Sequence, residues 1–474
     1  MKKLLALLLS MSMLALPALA AEDVPATPGE PLEQTAQGDV MPIAEGPQAQ
    51  PIAPWAYDAM TECAALGIWD DSYYYCILDP VTDEQMDELT GMVADKLALL
   101  ELPKREAAGE ALVVDQTRGG VINALYQELA AYELEGVEAG PVETLAGLGV
   151  VQGDENGVSA DRVCTLQEAL VMAQRLVLNV YDGQGAGAKG LLWKAEGNGN
   201  TLYLLGTIHV DRDNIYPLHK SVRDAILSSD EVALEVDFTD EADMARYQAL
   251  LVYDDGTTLA DHISPELHET VSQVLLGLGM TQEEIDAYRP WVLAGTLQQL
   301  GLSDDSTGAA PLAPDLYAQS KAVNNGITLT AVESATFQVE HIFNALSDEY
   351  QEAYLAAGME VYQSGTGGEA TEDGTETVAV IAAMMDAWKN RDVAAFEAVY
   401  DKDAILENTE DELNSKMFTE RDPNMIAWAD TYLKQDDGAH TGFMAVGAGH
   451  MVGQTGIVQG LKDLGYTVEL VPAE

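Results

Sequence analysis

From about residue 190 onward, short apolar runs alternate with longer segments patterned as helices. Apolar runs at 191–195 and 201–205 flank Glu196-Gly197-Asn198-Gly199-Asn200, a turn-forming composition, and predict a hairpin. The second run stops at Gly206-Thr207-Ile208-His209. A helix expected over 221–228 leads to a strand over 231–237 that ends in carboxylates, and a mostly helical stretch follows over 241–302. A helix over 316–324, ended by Asn325-Gly326, precedes a strand over 327–333 that again ends in an acid. More helix leads to Phe443-Met444-Ala445-Val446, which stops at Gly447-Ala448-Gly449-His450. A helix over 455–464, closed by Gly465 as a C-cap, and a strand over 466–471 complete the series. Strands alternating with helices predict an α/β or α+β domain over 191–474 whose sheet edge collects the polar groups.

Before that domain the pattern is helical, over 51–182, with a faint internal repeat. Leu66-Gly67-Ile68-Trp69 leads to Val81-Thr82-Asp83-Glu84-Gln85, and Leu148-Gly149-Val150 leads to Cys164-Thr165-Leu166-Gln167-Glu168. Each reads as a helix closed by glycine, a turn, and a threonine able to cap the next helix. Gln116-Thr117-Arg118-Gly119-Gly120 is a partial third copy. The pattern resembles the S-layer homology repeat, which implies a small, mainly helical domain and attachment to cell-wall polysaccharide; only Thr117-Arg118 retains the arginine of that family's glycan-binding signature. Residues 21–50, rich in Ala, Pro, Glu, Gln and Gly, read as a disordered linker. The glycine-rich stretch 183–190 reads as a flexible linker between the two domains, and 363–377 as a surface insertion.

Residues 1–20 carry a basic start at Lys2-Lys3, an apolar core and an Ala18-Leu19-Ala20 cleavage-like end, the pattern of a secretory signal. Export is therefore expected, with the mature chain secreted or associated with the cell wall and no transmembrane segment within it. The 474 residues carry 79 acidic against 23 basic side chains, a formal charge of −56. Such a surface repels nucleic acid and anionic membranes and weakly favours divalent cations. Of three cysteines, Cys63 and Cys76 are candidates for a disulfide in an exported protein, and Cys164 is left over.

The chemistry of the chain concentrates in its two Gly-x-x-His sequences, since only seven histidines are present. A glycine at a strand end lets the backbone turn and sets the next polar side chain at the sheet edge. Two such edges brought together put His209 and His450 in one crevice, suited to binding a metal or moving protons. Taken singly, either histidine is more readily read as the cap of the helix that follows it; the duplicated context reverses that preference.

Leu205-Gly206-Thr207-Ile208-His209-Val210, Leu234-Glu235-Val236-Asp237, Arg289-Pro290-Trp291, Val332-Glu333-Ser334 with Gln338, Ala387-Trp388, Glu420-Arg421 and Val446-Gly447-Ala448-Gly449-His450 together resemble the TraB/GumN/TIKI group over roughly residues 190 to 474. The resemblance implies a mixed central sheet with a large helical insertion. It also implies an active-site set of His209, His450, Glu235, Glu333 and Arg421. One branch of the group resembles metal-dependent proteases and another limits peptide pheromone activity. Ala313-Pro314-Asp315 and Arg421-Asp422 stand where relatives often have Gly-x-Asp and Arg-Asn. The expected chemistry has His209, His450 and Glu235 holding Mn, Co or Zn. A glutamate, Glu235 or Glu333, would serve as base, and Arg421 would bind a substrate carboxylate or an oxyanion. The function expected is metal-dependent hydrolysis of a peptide or amide at the cell surface. A non-catalytic protein that sequesters a peptide or small ligand, held to the wall by 51–182, is the alternative.

Overall fold

In the computed structural model the described residues are 49–105, 112–153, 157–208, 215–237, 239–302, 312–365, 372–408 and 411–472. The signal expected over 1–20, nearly all of the linker expected over 21–50, and His209 lie outside them. The chain divides into two compact units at Gly183/Gln184.

The first unit is helical: α1 (Tyr57–Leu66), α2 (Asp83–Ala98), α3 (Arg118–Ala130), α4 (Pro141–Gly147) and α5 (Leu166–Gly183). Gly67 ends α1 in the left-handed region at φ 69°. Thr82 caps α2 in a reciprocal box with Gln85, Thr117 accepts the Gly120 N–H at 3.1 Å, and Thr165 and Glu168 cap α5 mutually. Each cap satisfies N–H groups that the first helical turn leaves without partners, so the repeated threonines set where these helices begin. Leu66, Leu89, Val93, Leu125, Leu170 and Val177 are among the fully buried residues of its core. All three cysteines are free thiols. The candidate Cys63–Cys76 bond is not formed: α1 turns Cys63 inward, where its thiol donates to the Leu170 carbonyl at 3.5 Å, while Cys76 accepts from the Gln85 amide at 3.2 Å. A cavity of about 360 Å³ in this unit is lined by Trp55, Arg118, Arg162, Glu168 and Arg175.

The second unit is built on six strands. β1 (Leu191–Gly197) and β2 (Asn200–Thr207) form a hairpin through Asn198 and Gly199, at φ 52° and 87°. Two successive positive φ values match the right-handed twist of the strands, so pairing runs closer to the turn than the five-residue connection expected. Among the elements after β2 are α6 (Lys220–Leu227), β3 (Glu231–Leu234), α7 (Pro290–Leu302), α8 (Pro314–Asn325), β4 (Thr328–Ala331), α9 (Asp348–Gly365), α10 (Glu372–Lys389), α11 (Arg421–Leu433), β5 (Thr441–Gly447), α12 (Ala448–Met451), α13 (Ile457–Asp463) and β6 (Thr467–Leu470), with further helices between β3 and α7 and between α10 and α11. The sheet order is β4-β3-β5-β2-β1-β6, a mixed sheet in an α+β unit. β4, β3, β5 and β2 are mutually parallel, so their C-terminal ends share one edge. β5 is buried on both faces, which its unbroken apolar run Phe443-Met444-Ala445-Val446 requires.

Helices between β3 and β5 form the large insertion. Arg289-Pro290-Trp291 opens α7 and packs inward: Trp291 is buried, stacks on Phe343 with ring centres 4.7 Å apart, and donates to Asn344 at 2.9 Å. α7 and α9 meet through glycines, since a Cβ at Gly301 would lie 2.6 Å from Tyr362 Cα, and one at Gly358 would lie 2.8 Å from the Ala294 carbonyl oxygen. The surface insertion expected over 363–377 is shorter than read: α9 continues to Gly365 and α10 begins at Glu372, with 366–371 outside the described residues. Packing of the α9 face that carries Tyr354, Leu355 and Val361 outweighs the weak helix propensity of the residues after it. The linker expected over 183–190 is likewise pinned in its second half. Ala188 donates to the Pro217 carbonyl at 3.0 Å and Lys189 to the Lys389 carbonyl at 2.9 Å. The buried Arg391 donates to the carbonyls of Lys189, Gly190 and Val471 together. No helix among the described residues is long and apolar enough to cross a membrane.

Candidate functional site

The shared C-terminal edge of the parallel strands collects the candidate residues. Glu235 follows β3 directly, and Glu333 lies two residues past β4. The parallel pairing continues beyond both strands, through Val332 N to Leu234 O at 2.8 Å and Glu333 N to Glu235 O at 2.9 Å, which sets the two glutamates side by side. On the other flank of β3, Gly447 at the end of β5 donates its N–H to Glu235 Oε1 at 2.6 Å. Ser334 then caps the short helix Ala335–Gln338 through the Phe337 N–H. That helix returns Gln338, whose amide donates to Oε2 of both glutamates at 3.2 Å.

Glycine is needed where these turns pass one another. A Cβ at Gly206 would fall 3.0 Å from Ala448 Cα, and one at Gly449 would fall 2.9 Å from the Tyr400 hydroxyl and 3.1 Å from the Phe418 ring. Trp388, from Ala387-Trp388, fixes the same floor by donating to the Gly206 carbonyl at 2.7 Å.

Arg421, the first residue of α11, is 1% exposed and bridges the pair: Nη2 meets Glu235 Oε2 at 2.7 Å and Nε meets Glu333 Oε2 at 2.8 Å. Burial works against the charge on Arg421, but the two carboxylates outweigh it and hold its pKa above the usual value. Burial pushes the Glu235 carboxyl up, yet Arg421, His450 and the Gly447 N–H together bring it down to about 2. His450, also 1% exposed, meets Asp422 Oδ1 through Nδ1 at 2.7 Å. Asp422 Oδ2 receives the buried Lys402 ammonium at 2.6 Å and the Thr455 hydroxyl at 3.3 Å. The site therefore pairs three carboxylates (Glu235, Glu333, Asp422) with two basic side chains (Arg421, Lys402).

Glu235, Glu333, Arg421 and His450 are thus gathered at one place. His209 lies outside the described residues; the strand leading to it, β2, is parallel to β5, with Thr207 opposite Gly447. Asp315 is buried in the first turn of α8. Arg421, expected to meet substrate, gives Nη2 and Nε to the two glutamates and turns Nη1 to Met417 Sδ at 3.8 Å. Asp422 was visible in the sequence only as a departure from the resembled pattern, and Lys402 carried no signal beyond the scarcity of basic residues.

Three buried atoms at the site lack a hydrogen-bond partner among the described residues: His450 Nε2, Glu333 Oε1 and the Tyr400 hydroxyl. His450 Nε2 stands 3.9 Å from Glu235 Oε1, too far for a hydrogen bond. An imidazole held at Nδ1 by a carboxylate, with Nε2 open beside carboxylate oxygens, has the donor chemistry of a Mn, Co or Zn ligand. Among the described residues no group of three such side chains is gathered into a cage.

The TraB/PrgY/gumN family model matches residues 191–470. No curated protein and no solved structure matches the chain. The match spans the whole strand series from β1 to β6, more than half of the 474 residues, and on that ground the chain belongs to the TraB/PrgY/gumN family.

Proposed function

We propose that the second unit is a metal-dependent hydrolase acting on a peptide or amide bond, and that the protein is exported and works at the cell surface. The observation that carries this reading is the buried, unpartnered Nε2 of His450, aimed by Asp422 beside the paired glutamates. His450, through Nε2, and His209 are the residues that would hold the metal. When bound, it would lower the pKa of a water and polarise the substrate carbonyl. The hydrogen bonds separate the two glutamates in role. Glu235 has both oxygens engaged, by Gly447 on one side and by Arg421 and Gln338 on the other. Glu333 keeps Oε1 open and is the better acceptor for the proton of an attacking water. Arg421 holds both carboxylates in place, so its role is to position them.

The test is elemental analysis and peptide turnover of the purified chain beside its His209→Ala/His450→Ala variant. The variant is expected to lose both bound metal and turnover. Equal metal content and equal turnover in the two proteins would overturn the reading.

The saturation of Glu235 favours a second reading, a site that binds a peptide or small ligand without turning it over. Product analysis separates them, because a sequestering protein returns its ligand intact. The arginine-lined cavity of the first unit supports attachment of residues 51–182 to an acidic wall polysaccharide. Sedimentation with purified cell walls, with and without that unit, tests it, and equal partitioning would dismiss the anchor.

A further inference from the structure

The hydrogen-bond chain behind His450 is built from groups whose donor and acceptor roles are fixed. A lysine ammonium only donates, and an ionised carboxylate only accepts. Lys402 Nζ is fully enclosed, 2.6 Å from Asp422 Oδ2 and 4.7 Å from the Phe418 ring centre, so its position is set by charge pairing and a cation–π contact together. Thr455 adds a second donor to the same oxygen at 3.3 Å. Oδ1 is left for His450, at 2.7 Å from Nδ1. Phe418 also lies against the imidazole, with ring centres 5.2 Å apart, and limits its rotation.

We propose that Lys402 and Asp422 are a positioning pair that fixes the tautomer of His450, with the proton on Nδ1 and the free lone pair on Nε2. The lysine occupies Oδ2, which leaves Oδ1 as the acceptor facing the ring, so Nδ1 is the nitrogen that donates. The ring then presents only Nε2 to the site. This inference deepens the role given to His450 above and rests on it, but it concerns residues that touch neither substrate nor metal.

Changing the carboxylate to an amide turns the argument into a measurement. In Asp422→Asn, Lys402 and Thr455 would claim the amide oxygen, and the NH₂ group would face His450 Nδ1. That nitrogen must then accept, so the proton moves to Nε2. In Asp422→Asn/Lys402→Met the ammonium is gone, the amide can turn its oxygen to the ring, and the original tautomer returns.

The test is nitrogen NMR of the full chain labelled at its histidine ring nitrogens, in the presence of a chelator, with His450→Gln identifying the signals among those of the seven histidines. The expected result is a protonated Nδ1 and an unprotonated Nε2 in the parent chain, exchange of the two signals in the single variant, and their restoration in the double variant. A parent chain with its proton on Nε2 would overturn the proposal before any variant is made. So would a single variant with unchanged signals, or a double variant that keeps them exchanged. A chain that retained no metal and cleaved no peptide would sink the hydrolase reading and leave this pattern in place, so the two failures are distinguishable.

Discussion

Arg421 shows what one side chain does when it sits between two buried acids. Replacing it with methionine would leave Glu235 and Glu333 without their shared cation, a change expected to cost about 3–5 kcal/mol of folding stability, read from denaturant unfolding. The acid limb of the stability curve should carry the same signature. Glu235 is held at about 2 against an ordinary 4.5, so its contribution is complete above about pH 4.5 and is lost as the pH falls towards 2. A shift of that size corresponds to about 3 kcal/mol, and the acid limb of Arg421→Met should be shallower than that of the parent. At this scale the sequence was informative about identity and poor on partners. Two glutamates at strand ends and an arginine were legible as a set. The clamp among them was not, because nothing in a linear chain shows that Arg421 reaches back 186 positions to Glu235.

Helix and strand placement was legible where the pattern was strong. The parallel strands and the helix before Gly326 follow from apolar runs punctuated by glycine or asparagine, whereas the turn after β1 is shorter than its composition suggests. What stayed hidden was which glycines break helices and which let them touch. Gly358 lies inside α9, where propensity alone disfavours it, and its use appears only when α7 is laid alongside. Gly358→Ala should therefore destabilise the second unit, although alanine is the better helix former, because the added methyl meets the Ala294 carbonyl at 2.8 Å. A loss of about 1–3 kcal/mol is expected, measured by thermal or urea unfolding. A gain would mean that the two helices can move apart freely.

Across the whole chain, the division at Gly183/Gln184 gives a further expectation. Of the stretch 183–190, the residues from Ala188 onward are hydrogen-bonded into the second unit. Brief trypsin treatment should spare the bond after Lys189, although a glycine-rich sequence around a lysine looks like an open target. Rapid cleavage at that bond would show that the carbonyls held by Arg391 are readily released. The guanidinium of Arg391 grips Lys189 and Gly190 ahead of β1 and Val471 beyond β6, so the first and last strands of the unit are drawn to within the span of a single side chain. Geometrically the unit is a nearly closed ring of polypeptide: a few residues would join 471 to 189, and a chain cut open at a surface turn instead would still have every segment it needs to assemble the same sheet.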